Sequence, residues 1–218
     1  MKIHLLGVPN TVGIDAFSFE PCTQRLRRFP ELLRLAGYDE IIYYGHPASD
    51  MDCEVVGTIN DELLESVYGY SSQNTEKLSA HYLSAQSDDE VHITANRNAI
   101  KELEKRLDYG DIISLPGGGY RPVYDYFDEN RNPIVETSIG YPYLTVDNFR
   151  VFQSYTHMAL ICGLTDVQIP RPSDVVIPNF FNPDAFKYSE EKEDYCLYTV
   201  SYTHLRAHET REDRGWRG

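Results

Sequence analysis

Short apolar runs alternate with segments of helical periodicity through most of the chain. The apolar runs predict six β-strands, at residues 2–7, 40–44, 54–58, 111–115, 133–137 and 174–177. Apolar residues at helical spacing predict four helices, at residues 23–36, 96–107, 121–127 and 148–162. The polar segment 60–90 predicts an excursion with short helices. This alternation predicts an α/β fold with a Rossmann-like, mainly parallel sheet flanked by helices.

Three loops that follow predicted strands contain the residue types of a ligand site. Parallel sheets bind ligands beyond the carboxyl ends of their strands, so these loops supply the candidates. The candidate contacts to a substrate or to the phosphates of its donor are Asn10, Thr11, Gly13, Gly118, Gly119, Glu136, Ser138, Gly140 and Tyr141.

The three loops offer different chemistry. Gly13 allows a close backbone approach, and amides at the start of the next helix can face a diphosphate. The spacing is not GxGxxG, which disfavours a dinucleotide site. The glycines at 117–119 give backbone freedom without bulk, although ordinary turns explain both of these loops equally well. Glu136, Ser138 and Tyr141 supply a carboxylate, a hydroxyl group and an aromatic ring, which suit sugar hydroxyls and ring stacking.

The formal net charge of −14 narrows the class of partner. A surface this acidic repels phosphate backbones and anionic lipids, so nucleic acids and membranes are disfavoured while neutral sugars remain compatible. An anionic ligand held locally by backbone amides also remains compatible. Four scattered cysteines without a CxxC pair are typical of reduced thiols in the cytosol. The amino-terminal apolar run is too short for a signal peptide or a membrane span, so we expect a cytoplasmic protein.

Several common catalytic motifs do not occur in the sequence. It contains no GxSxG, P-loop lysine or HExxH motif, which disfavours the usual hydrolase, NTPase and metalloprotease classes. Metal-capable side chains at His46, Asp50, Asp52 and Cys53 fall in a turn between predicted strands. We therefore expect no metal site there.

The organisation changes near residue 178. Residues 178–183 are too rich in proline to continue a strand and predict a linker, and residues 195–198 predict the first strand of another βα unit. We expect one domain at 1–178, and at 179–198 a linker with the first strand of a second domain that this chain lacks. Residues 199–218 resemble one reading frame through a transposase adapter used in sequencing libraries, which predicts a non-native tail. A natural basic tail is the alternative.

Several segments together resemble a family of bacterial and phage GT-B glycosyltransferases. They cover nearly all of residues 1–198, and the most specific lies at 176–186, followed by Asp194-Tyr195-Cys196-Leu197-Tyr198. The other matching segments are Leu6-Gly7-Val8-Pro9-Asn10-Thr11, Cys22-Thr23-Gln24, Gly37-Tyr38, Tyr43-Tyr44-Gly45, Gly110-Asp111-Ile112-Ile113, Val135-Glu136, Ile139-Gly140-Tyr141-Pro142 and Arg150-Val151-Phe152-Gln153-Ser154-Tyr155. Two departures are Asn10, where the family has histidine, and the glycine triplet, where it has a bulkier loop.

The resemblance implies the acceptor-side domain of a two-domain enzyme. In such enzymes the second domain holds most of the nucleotide-sugar site, and the leaving diphosphate is stabilised by backbone dipoles and basic side chains without a divalent metal. The implied substrates are a nucleotide-sugar donor and a glycan or other acceptor, with no further cofactor. The resemblance does not specify the donor sugar, the acceptor, the stereochemical outcome or the catalytic residues.

Two further expectations follow from the resemblance. We expect this chain alone to be inactive, because half of the catalytic centre lies in the second domain. We also expect an exposed cleft wall that includes Phe180 and Phe181, which favours self-association. The alternatives are a nucleotide-sugar epimerase and a non-catalytic sugar-binding or response-regulator-like α/β module.

Overall fold

The computed structural model describes residues 1–75, 78, 88–117, 119–128, 132–141, 144–147, 149–165, 170–180 and 190–191. The chain divides into a compact unit at Met1–Phe181 and a second unit at Asn182–Gly218. The fold described below belongs to the first unit. The strand predicted at 195–198 and the tail predicted at 199–218 lie outside the described residues.

Within those residues, seven strands form one parallel sheet in the order β3-β2-β1-β4-β5-β6-β7. The strands are β1 (Ile3–Leu6), β2 (Ile41–Gly45), β3 (Glu54–Gly57), β4 (Ile112–Leu115), β5 (Ile134–Ile139), β6 (Arg150–Phe152) and β7 (Val175–Val176). The predicted class, an α/β protein with a Rossmann-like parallel sheet, is confirmed.

Five α-helices flank the sheet in the described part of the chain. They are α1 (Pro21–Leu35), α2 (Asp61–Tyr68), α3 (Glu90–Arg106), α4 (Arg121–Phe127) and α5 (Tyr155–Leu164), and a 3-10 helix at Asp15–Phe17 precedes α1. Side chains of Glu20, Asn60, Asp89 and Ser154 accept hydrogen bonds from backbone amides at the starts of α1, α2, α3 and α5. These caps fix where each helix begins, because the first amides of a helix have no partner within it.

Helices cover both faces of the central strands. Leu6 of β1 packs in one core cluster with Leu103 of α3 and Val123 of α4. Leu5 belongs to a second cluster with Phe29 and Leu33 of α1. Burial on both faces explains why the strands read as continuous apolar runs rather than as alternating patterns.

The structure corrects two predicted helices. The helix predicted at 148–162 is wrong in its first part, because residues 150–152 form β6 and Ser154 caps the helix that follows. Arg150 is buried on β6, with its Nε atom 2.7 Å from Asp174 Oδ1, so an ion pair to a distant residue fixes this short strand. The helix predicted at 96–107 begins at Glu90, because Asp89 caps it.

Candidate functional site

The strand order reverses between β1 and β4, whose following segments diverge to opposite sides. In open α/β sheets this switch point is where a crevice forms beyond the carboxyl ends of the strands. A cavity of about 200 Å³ lies there. This switch-point cavity is lined by Val8, Pro9, Asn10, Glu20, Cys22, His92, Pro116, Gly117, Tyr120 and Tyr141.

An aspartate–histidine pair stands at the cavity, at the start of α3. The Nδ1 atom of His92 lies 2.9 Å from Asp89 Oδ1, and the same oxygen accepts the His92 backbone N–H at 3.0 Å. A carboxylate can only accept, so Nδ1 of His92 donates to Asp89, and in the tautomer that this bond selects Nε2 is the acceptor nitrogen. None of the described residues forms a hydrogen bond with that Nε2 atom. An imidazole oriented in this way is chemically capable of accepting a proton from a ligand.

A third group holds the aspartate. The hydroxyl of Tyr68 donates to Asp89 Oδ2, so both carboxylate oxygens are engaged. Burial, together with the neighbouring carboxylate, raises the pKa of Tyr68 above its ordinary value. Tyr68 therefore stays protonated and keeps donating, which fixes Asp89 and through it the orientation of the His92 ring.

Glu20 brings a carboxylate to the same cavity. It is only 5% exposed, and its Oε2 atom accepts the Thr23 backbone N–H at the start of α1. This is the end of a helix at which a Rossmann-like fold would place a diphosphate. Here the protein's own negative charge occupies that position. A pyrophosphate would meet repulsion, whereas a hydroxyl group could donate to the carboxylate.

Glu136 holds Tyr141 and its loop. Its Oε1 atom accepts the Tyr141 hydroxyl at 2.8 Å, and its Oε2 atom accepts the backbone N–H groups of Thr145 and Val146 at 2.8 and 3.1 Å. Glu136 has no exposed surface, so it supports the cavity wall without facing a ligand. Burial and this carboxylate raise the pKa of Tyr141.

The Tyr141 ring packs against a backbone position that only glycine accommodates. Gly117 has a φ of 142°, and a Cβ atom there would lie 2.8 Å from the ring. On the floor of the cavity, the buried Tyr120 hydroxyl donates to the Gly7 carbonyl oxygen at 2.5 Å. These contacts join the loops after β1, β4 and β5.

The structure separates the candidates of the first loop. Asn10 lines the cavity, and its carbonyl oxygen accepts the Tyr70 hydroxyl at 2.7 Å. Thr11 is fully buried, and its Oγ1 atom lies 2.7 Å from that of Thr23. The Gly13 amide donates to Ser49 Oγ at 3.0 Å, so a diphosphate at this amide would have to displace Ser49.

The remaining candidates lie beyond β4 and β5. Gly119 borders His92, since a Cβ atom on Gly119 would lie 3.2 Å from Cδ2 of the imidazole. Ser138 and Gly140 adjoin Gln153, whose Nε2 atom donates to the Ser138 carbonyl oxygen at 3.0 Å. Gly118 lies outside the described residues.

Sequence reasoning missed three residues of this site: Glu20, Asp89 and His92. A local sequence signal was present for Asp89 and for Glu20. Asp89 is a favoured N-cap residue directly before an apolar-periodic segment, and the third helical position after it is His92. Glu20 precedes Pro21, a favoured first residue of a helix. Their meeting in one cavity depends on the sheet topology and has no local signal.

A larger cavity, of about 580 Å³, lies at the amino edge of the sheet. Its charged side chains largely neutralise one another. Lys2 Nζ lies 2.6 Å from Asp108 Oδ2, and Arg106 Nη1 lies 2.9 Å from Glu54 Oε1. Size favours this cavity as a binding site. The position at the carboxyl ends of the strands favours the switch-point cavity, as does His92 Nε2, which has no hydrogen-bond partner among the described residues. The switch-point cavity is therefore the stronger candidate.

The described residues contain no group of three or more metal-capable side chains in a binding arrangement. His46, from the turn considered above, instead accepts the Ala48 backbone N–H at Nδ1 and lies 3.2 Å from Asp61 Oδ1. No helix in the described part of the chain has the length and apolar character to cross a membrane.

Comparison of the chain with protein-family models, with curated proteins and with solved structures gives no match in any of the three.

Proposed function

We propose that residues 1–178 are the acceptor-binding domain of a cytoplasmic, nucleotide-sugar-dependent glycosyltransferase, with His92 as the base. The observation that carries the proposal is the Asp89–His92 pair. His92 lines the switch-point cavity, and its Nε2 atom has no hydrogen-bond partner among the described residues. The proposal's support from sequence is the resemblance to GT-B enzymes, in which the amino-terminal domain mainly shapes the acceptor side.

The proposed chemistry needs one proton acceptor on this domain. His92 Nε2 takes the proton of an acceptor hydroxyl while that oxygen forms a bond to the anomeric carbon of the donor. The bond from that carbon to the diphosphate breaks, and the nucleoside diphosphate leaves with the electron pair. Asp89 stabilises the imidazolium that forms, and Tyr68 keeps Asp89 in place.

The chemical character of the cavity supports a neutral acceptor in this domain. Glu20 already satisfies the Thr23 amide at the start of α1, and the Gly13 amide is already bonded to Ser49. The cavity otherwise has prolines and tyrosines on its walls, which suit the apolar faces of a sugar ring. The same features disfavour an epimerase, which would bind a dinucleotide at this end of α1.

The first experiment is an NMR titration of the 218-residue chain that follows the imidazole C–H signals. A neutral methyl glycoside should shift the His92 signal, while the signal of His4, which is buried at the opposite edge, should not move. Assignment uses His92→Gln. Nucleotide sugars should leave both signals unchanged, since their site belongs to a second domain. Saturable binding of nucleotide sugars in this cavity, with no response to saccharides, would overturn the proposal.

Two further observations separate the alternatives. The parent reading frame beyond Tyr198 should encode a second βα domain with a glycine-rich first loop; an early stop codon would favour the non-catalytic sugar-binding module. We expect the purified chain to release no nucleoside diphosphate from a nucleotide sugar plus acceptor. Robust transfer by this chain would show that the donor half is not required.

A further inference from the structure

The switch-point cavity has room for one sugar ring. Its volume of about 200 Å³ is that of roughly six or seven waters at ~30 Å³ each. Pockets for larger organic ligands start at about 300 Å³. The cavity therefore has room for a single pyranose with its hydroxyl groups, such as the terminal residue of a glycan, and not for several consecutive sugars.

Glu20 is a charged hydrogen-bond acceptor on the wall of this small cavity. Its Oε2 atom is engaged by the Thr23 amide, and the Cys22 thiol is a weak hydrogen-bond donor to the same carboxylate. Its carboxylate also acts on Cys22, another lining residue: burial, followed by the Glu20 charge, raises the pKa of that thiol. One oxygen of Glu20 thus holds the helix end. A ligand hydroxyl is a stronger donor than the Cys22 thiol and can therefore take its place at the carboxylate.

From this geometry we infer that Glu20 determines specificity by accepting a hydrogen bond from one ring hydroxyl of a neutral pyranose. The inference rests on the proposed function, because it places the ring beside His92. A hydrogen bond to a buried carboxylate discriminates strongly, since an analogue that lacks the hydroxyl leaves the charge without a donor. One hydroxyl of the sugar then donates a hydrogen bond to Glu20, and another can donate its proton to His92.

The test measures affinities of the full chain for the methyl pyranosides of glucose, galactose and mannose, and for the monodeoxy analogues of whichever binds. We expect one deoxy position to weaken binding about tenfold or more, and the others to weaken it by about twofold. In Glu20→Gln the parent sugar should bind about tenfold more weakly, while the affinity of that one analogue stays nearly unchanged. Glutamine keeps an oxygen for the Thr23 amide, so the helix cap is preserved.

The matched control is Glu31→Gln, which removes the same charge from an exposed position of the same helix and should leave every affinity unchanged. An unchanged deoxy profile in Glu20→Gln overturns the inference and leaves the proposed function standing. If Glu20→Gln does not fold, the wild-type series decides alone: no deoxy position costing more than about twofold overturns the inference. If none of the three sugars binds wild type, the proposed function fails with it.

Discussion

A histidine lies beside an aspartate at the amino ends of the strands, and another such pair lies beyond their carboxyl ends. The two pairs differ in how many nitrogens of the histidine ring have a hydrogen-bond partner. At the amino edge, His4 is fully buried, with Nδ1 2.7 Å from the Tyr44 hydroxyl and Nε2 3.3 Å from Asp111 Oδ2. At the carboxyl edge, His92 contacts its aspartate through Nδ1 alone, among the residues described, and lines a cavity. At His4 both ring nitrogens are engaged, so the pair with Asp111 has a structural role. At His92 only Nδ1 is engaged among the described residues, so Nε2 is free to interact with a ligand.

The largest expected difference concerns stability. His4→Gln should lower the free energy of unfolding by about 2 kcal/mol, because it disrupts two buried hydrogen bonds and leaves the Tyr44 hydroxyl poorly paired, while Asp111 keeps the backbone amides of Lys2 and Asp108. His92→Gln should cost only about 1 kcal/mol, since Asp89 keeps its bond to the backbone amide. Urea unfolding of both variants and wild type measures the two values. Equal costs would remove the distinction between the pairs.

The pH dependence of stability sharpens the same contrast. Burial lowers the pKa of His4 from its ordinary value of 6.5, so the folded protein holds this ring neutral. Below pH 6.5 the unfolded chain binds the proton more readily, so this stability is complete above that pH and is lost as the pH falls. The loss approaches about 1.4 kcal/mol per pH unit for such a group.

The measurement is urea unfolding of wild type and His4→Gln between pH 7 and 5. His46, whose pKa burial also lowers, contributes in the same direction and remains in both proteins. The His4→Gln curve should therefore be shallower than the wild-type curve, and not flat. Parallel curves would show that the His4 ring takes up its proton without opposing the fold.

The smallest expected effect is a difference in alkylation rate between a cysteine in each of the two cavities. Cys22 lines the switch-point cavity and Cys53 the amino-edge cavity, and burial raises the pKa of both thiols, that of Cys53 to about 11. Cys53 should thus be alkylated about a hundredfold more slowly at pH 8 than an ordinary thiol of pKa 9. A bound methyl pyranoside should slow alkylation of Cys22 a further few-fold and leave Cys53 unchanged, as measured by peptide mass spectrometry. Protection of Cys53 instead would place the ligand in the larger cavity.

The elements of the fold were largely predictable, because buried parallel strands and amphipathic helices are local patterns. The strand at 150–152 was not, since three residues are too few for a periodic signal and its Arg150 is stabilised by Asp174, 24 residues later. In the sequence alone, an arginine between apolar residues has the pattern of an exposed position on an amphipathic helix. The pairing that makes it a strand residue exists only in three dimensions.

The site was predictable by location rather than by residue. Tyr141, Asn10 and the edges of the glycine loop do meet at the switch point. Glu136 has the residue type of a sugar ligand, yet its oxygens are taken up by Tyr141 and by two backbone amides. The number of neighbours a carboxylate already satisfies depends on the folded loop, which sequence types alone do not specify.

The close packing of Gly117 on Tyr141 fixes the outline of the switch-point cavity, and with it the size of a ligand that fits there. Any side chain at position 117 would collide with the ring, and the ring forms part of the cavity wall, so it would have to move. The outline of the cavity can thus be changed from a backbone position that donates and accepts nothing in the proposed chemistry. If the proposed function holds, ligand size and reactivity are set by separate residues, and each can change while the other is kept.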